Sequence, residues 1–196
     1  MNAALAVTVF AIVAVAELPD KTMIATLIMG SRARPVLVWL GAVGAFTVHV
    51  TLAVVAGRLL TLLPHTTVEI ITTVLFLGGA AYLIVVPERS ETLKGEREAQ
   101  PEHAGAPWRV VATAFGVILV GEFGDLTQLL IVNFEARTHE PAAVFVGALA
   151  ALVSVSALGA FGGRALLKVV PLAVVRRVGG LVLLGFAAYS IYALAT

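Results

Sequence analysis

The chain has 196 residues, 60% hydrophobic and 13% charged. Soluble domains run near 45–50% apolar and about 25% charged, so the composition predicts an integral membrane protein, and no separate soluble domain is expected within these residues. A net charge of +1 says little about partners, and no nucleic-acid partner is expected. The absence of cysteine excludes a disulfide framework, a thiolate nucleophile and a soft-metal thiolate site.

A membrane-spanning helix needs roughly 20 mostly apolar residues, and six stretches qualify. They run from about Ala3 to Met29, Val36 to Leu60, Thr66 to Val86, Arg109 to Asn133, Pro141 to Leu166 and Leu172 to Leu194. In the first, Ala14-Val15-Ala16 has the small residues of a signal-peptide cleavage site. No basic region precedes it and Glu17 follows directly, so the stretch is read as a retained helix. Residues 87–107 are rich in Glu, Arg and Lys and poor in large apolar residues, which predicts a solvated linker. The expected organisation is a three-helix unit at 1–86, the linker at 87–107 and a second three-helix unit at 108–196.

Lysine and arginine set the orientation. Ten of the thirteen, Arg32, Arg34, Arg89 and Arg109 among them, fall on the side of the first, third and fifth loops. Arg58 and Arg137 fall on the other side, and Lys21 lies inside a span. The expectation is a multi-pass protein of the cytoplasmic membrane, with both termini extracytoplasmic and the linker cytoplasmic.

The two units repeat one another. Arg32 matches Arg137 at an offset of 105, Gly41-Ala42 matches Gly147-Ala148 at 106, and Ala80-Ala81-Tyr82 matches Ala187-Ala188-Tyr189 at 107. Three helices per unit force the second into the opposite orientation. The predicted fold is all-α, with six transmembrane helices arranged as two inverted three-helix repeats. In transporters such a repeat places the binding site where the halves meet, near the membrane midplane.

One motif sits at the matching place in each half: Glu17-Leu18-Pro19-Asp20-Lys21-Thr22 and Glu122-Phe123-Gly124-Asp125-Leu126-Thr127. A carboxylate at that depth costs roughly 2.5–3.5 kcal/mol to insert, so four in two matching pairs mark a function. Positions i and i+3 share a helix face. Glu17 and Asp20 therefore point together, as do Glu122 and Asp125, and Gln128 extends the second face. Pro19 leaves a carbonyl without its helical partner, and Gly124 weakens the other helix. Only His49, of four histidines, lies well inside an apolar run, so any cation meets mainly oxygen. Carboxylate, hydroxyl and amide oxygens suit a hard divalent cation. Close carboxylates in a dry site hold protons when empty and give them up when a cation arrives. Lys21, four residues after Glu17, reads either as its structural partner or as a counterion within the site. His49, with Val155 at its repeat-related position, reads as a hydrogen-bonded interior histidine. Thr22 and Thr127 either bond their own helix backbone or face the cation.

The paired motif, the six helices and the inverted repeat resemble the Gdt family of manganese/calcium:proton exchangers. The resemblance covers nearly the whole chain. It implies that Glu17, Asp20, Glu122 and Asp125 are cation-binding acids, with Thr22, Thr127 and Gln128 completing the metal site. It implies export of Mn²⁺, or next Ca²⁺, from the cytosol against inward proton movement, with no resident cofactor. Pro19 stands where the family has Gly, and Leu126 where it has Lys or Arg. The second departure leaves Na⁺ as the alternative coupling ion. The rival reading is a six-helix exporter of amino acids or other metabolites. An intramembrane enzyme is disfavoured, because the motifs lack a Ser-His arrangement and clustered arginine. The sequence leaves homo-oligomerisation open.

Overall fold

The structure is a computed structural model. It describes residues 2–18, 21–60, 106–123 and 125–169, together with scattered helical positions between 62 and 81 and between 181 and 192. The predicted third and sixth helices therefore lie largely outside the described residues, as does the linker up to residue 105. Everything described is helical or connecting: α1 Ala3–Glu17, α2 Lys21–Arg32, α3 Pro35–Leu60, α4 Pro107–Gly121, α5 Leu126–Thr138 and α6 Pro141–Val169.

Local chemistry sets the ends. Asn2 caps α1, its side-chain oxygen accepting the Leu5 N–H at 3.2 Å. Pro35, Pro107 and Pro141 each occupy the first position of a helix, where the missing N–H costs nothing. His139 takes the left-handed conformation, φ 53°, and ends α5 by donating its N–H to the Glu135 carbonyl.

The first and fourth predicted helices are each divided in two. α1 and α2 meet at 72°, α4 and α5 at 71°. The breaks coincide with Pro19 and Gly124, the residues of each motif least compatible with a helix interior. Helix α3 and the first 22 residues of α6 are each long and apolar enough to cross a membrane, and each bent pair reaches that length together. On α3, Val36, Leu40, Leu52, Val55 and Leu59 remain exposed, a face suited to lipid.

The halves do not pack as two separate bundles. Helix α3 lies against α4 and α5 of the other half, and α6 lies reciprocally against α1 and α2. The reciprocity extends to single atoms. A Cβ on Gly41 would strike the Val111 carbonyl and the Ala114 side chain; one on Gly147 would strike the Ala6 carbonyl and the Val9 side chain. Ala6 and Val9 are the repeat partners of Val111 and Ala114 at the same offset of 105. Only glycine permits either approach. The buried core between these helices includes Val9, Val13, Val38, Phe46, Ile131 and Leu152.

Candidate metal centre

Both motifs fall at the helix breaks. Glu17 is the last residue of α1, and Glu122 caps the C-terminus of α4. Thr22 lies in the first turn of α2, Thr127 in the first turn of α5, and Asp125 is the α5 N-cap. Each site therefore joins the C-terminal end of one half-helix to the N-terminal end of the next. The i, i+3 spacing expected to align Glu with Asp assumed an unbroken helix, and the bend removes that basis.

The two motifs meet, and they do so crosswise. The Thr22 hydroxyl donates to Glu122 Oε1. The Thr127 hydroxyl donates to Glu17 Oε2 at 2.9 Å. Each bond joins residues of opposite halves. All four side chains are buried, Glu17 and Thr22 at 1% and 2% exposure. Both threonine hydroxyls thus go to a carboxylate of the other half and not to their own helix backbone. Backbone bonding is instead the habit of Thr26, which donates to the Thr22 carbonyl at 2.8 Å.

The remaining candidates fall less centrally. Asp125 and Gln128 are half-buried beside the crossed pair. Asp20 lies outside the described residues, and so does the side chain of Lys21. Among the described residues no three of His, Asp and Glu come together at metal-binding spacing. The Val120 carbonyl is taken up by a turn, receiving the Phe123 N–H at 3.4 Å.

His49 sits on α3 at 3% exposure. Its Nε2 is 3.0 Å from the Leu119 carbonyl. A carbonyl only accepts, so Nε2 carries the proton and donates. Its ring lies 6.2 Å from that of Phe123, tilted by 56°. This is the hydrogen-bonded interior histidine expected from the sequence.

One buried acid went unread in the sequence. Glu135 is 1% exposed on α5. The fourth predicted helix stops at Asn133, so Glu135 falls just past its end, before the fifth begins at Pro141. In the structure α5 runs on to Thr138 before the αL stop at His139, which nothing in the sequence signals.

A family model described as "Divalent cation/proton antiporter GDT1" matches residues 5–91 and again residues 110–196. The chain belongs to the GDT1 family. The description of that family is of a divalent-cation antiporter, neither an enzyme nor a metabolite exporter. The chain is 26% identical over 208 residues to Protein PAM71-homolog, chloroplastic, of Arabidopsis thaliana, covering 93% of this chain and 58% of that protein. It is 25% identical over 209 residues to Protein PAM71, chloroplastic, of the same plant, covering 95% and 56%. It thus spans little more than half the length of these plant GDT1-family relatives. It is also 25% identical over 191 residues to GDT1-like protein sll0615 of Synechocystis sp., covering 91% of this chain and 92% of that one. No solved structure matches the chain.

Proposed function

We propose that this GDT1 protein exports a divalent cation from the cytosol in exchange for protons, by alternating access at the meeting point of its two motifs. The observation that carries the reading is the crossed pair, Thr22 with Glu122 and Thr127 with Glu17. A buried carboxylate held only for stability would be expected to find its partner nearby in its own half. Here each finds a hydroxyl 100 or more residues away, in the other half, so any ligand at these acids acts on the contact between halves.

The residues divide the work. Glu17, Asp20, Glu122 and Asp125 supply charge, and Thr22, Thr127 and Gln128 supply neutral oxygens. A cation arriving at Glu17 and Glu122 competes for the oxygens that now accept the threonine hydroxyls. Once the cation is bound, those hydroxyls turn their oxygens toward it or release the opposite half. Protons held by the empty acids leave as the cation enters, because its charge replaces theirs. Lys21 serves as the charge partner of the site. Mn²⁺ ranks before Ca²⁺ on the family resemblance, since an oxygen donor set accepts either. The coupling ion is H⁺, with Na⁺ the alternative. The proposed setting is the cytoplasmic membrane, termini outside and linker inside, although the plant relatives are chloroplast proteins by name.

The test uses purified protein in liposomes under an imposed pH gradient. Mn²⁺, Ca²⁺, Mg²⁺ and Na⁺ are supplied one at a time while metal entry and internal pH are recorded. Coupled metal and proton flux that disappears in Asp20→Asn is the expected result. Folded protein that moves none of these cations with protons would overturn the reading.

A further inference from the structure

Glu135 has no place in the site described above, yet an acid inside a membrane protein is costly enough to need a reason. It is 1% exposed, and neither of its carboxylate oxygens meets a hydrogen-bond donor among the described residues. Helix α3 makes room for it. A Cβ on Gly57 would lie 2.6 Å from the Glu135 Cβ and 2.9 Å from its Cγ, so glycine is what admits the acid between the helices.

Its place along α5 has a direction. Gln128 lies seven residues earlier, two turns and about 10 Å away on the same face. His139, one turn later, is exposed and caps the helix on the Glu135 carbonyl. The charged groups acting on Glu135 are Arg58 of α3, His139, and Glu140 just before α6. From α1 the packed acid is Glu17, bonded to Thr127 near the other end of α5. An exposed imidazole, a buried carboxyl and the motif site thus follow one another along a single helix.

Among its described residues, α2 of the other half has no such series. The repeat partner of Glu135, at the offset of 105, is Gly30. There the backbone of Ala160 closes the space, and a Cβ would collide with its carbonyl. Among the described residues of α2, from Thr22 to Gly30, no titratable side chain leads away from the site as Glu135 does on α5. By the charge bias of the loops, the Glu135 side is extracytoplasmic.

We propose that Glu135 is the proton relay between the extracytoplasmic solution and the exchange site. A proton passes from water or from the His139 imidazolium to the Glu135 carboxylate, making the neutral acid. It then passes, through water admitted as the site opens outward, to a motif carboxylate that the cation has left. Glu135 returns to the carboxylate and no other bond changes. The proposal rests on the exchange reading above and adds a residue and a sidedness to it.

The experiment separates metal movement from proton movement. The full chain in liposomes is assayed with Mn²⁺, and in parallel with Ca²⁺, in two modes. One mode is metal-for-metal exchange of labelled ion at equal pH. The other is net metal flux driven by a pH gradient. Glu135→Gln should keep the first and lose the second by about tenfold or more, as expected when a positioned proton carrier is removed. Glu135→Asp, which still titrates, should restore net flux. Glu122→Gln should lose both modes. Glu135→Gln with normal pH-driven flux, or with both modes lost equally, would overturn the relay. If Glu135→Gln does not fold, Glu135→Met faces the same two readings. Wild-type protein that exchanges neither ion would instead bring down the exchange reading itself.

Discussion

Gly41 of α3 and Gly147 of α6 hold matching positions and make matching contacts, on the carbonyls of Val111 and Ala6. Gly30 of α2 and Glu135 of α5 also hold matching positions, yet one is sealed against Ala160 and the other is a buried acid. Two further pairs differ in the same manner: Lys21 against Leu126, and His49 against Val155. The helix-to-helix seams and the crossed Glu–Thr pair follow the pseudo-two-fold relation. Each of these departures is a titratable group that its repeat-related position lacks. Symmetry here belongs to the machinery that must look the same from either side of the membrane. On the proposed exchange reading, asymmetry belongs to whatever gives the exchange its direction.

The strongest way to break this comparison is to remove the symmetric acids one at a time. Glu17→Gln and Glu122→Gln should each cut metal flux by about a hundredfold or more, beyond the ~10–100-fold typical of outer-sphere partners of a metal. The two losses should be alike. A variant that retains flux while its counterpart loses it would place the cation in one half and end the paired-site reading.

The crossed hydrogen bonds come next. Thr22→Val and Thr127→Val should each destabilise the protein by about 1.5–3 kcal/mol, the range for hydrogen bonds to charged groups, measured by thermal unfolding in detergent. Combined with Glu122→Gln and Glu17→Gln respectively, each pair should show coupling of the same sign and similar size. Coupling of Thr22 to Glu17 instead would mean the bonds run within halves.

Smaller and purely structural is the seam itself. Gly41→Ala and Gly147→Ala each force one methyl group against a carbonyl, costing about 1–3 kcal/mol as overpacking does. Equal shifts in melting temperature would support a shared geometry. A neutral result at one glycine would show that only the other seam is tight.

The sequence made much of this visible because its strongest signals were local. The start of α6 at Pro141 and, to within one residue, the limits of α3 were legible from apolar runs. The motif residues stood out because acids are rare in such runs. What remained hidden depended on partners far along the chain. No spacing rule pairs Thr22 with Glu122, since 100 residues separate them and the bends aim them. Glu135 escaped notice for a different reason. Next to Arg137, His139 and Glu140 it has the composition of a loop, and only the fold buries it. In the second motif the assumption that Glu122 and Asp125 share a helix face failed, because one caps the end of α4 and the other the start of α5.

His49 offers the mildest perturbation and the finest discrimination. Its Nε2–H serves the Leu119 carbonyl, three residues before Glu122, and Asp125 lies near enough to act on the ring electrostatically. Glutamine at this position keeps an N–H donor of similar reach but cannot carry a proton at neutral pH. If His49 only braces α3 against α4, His49→Gln should cost about 1 kcal/mol or less and leave pH-driven metal flux within about twofold of wild type. If flux collapses while metal-for-metal exchange persists, the histidine moves protons. Comparison with Glu135→Gln then decides the route. Loss in both variants describes one pathway from α5 to α3. Loss in His49→Gln alone moves the asymmetric proton path off α5 and onto the helix that faces the second motif.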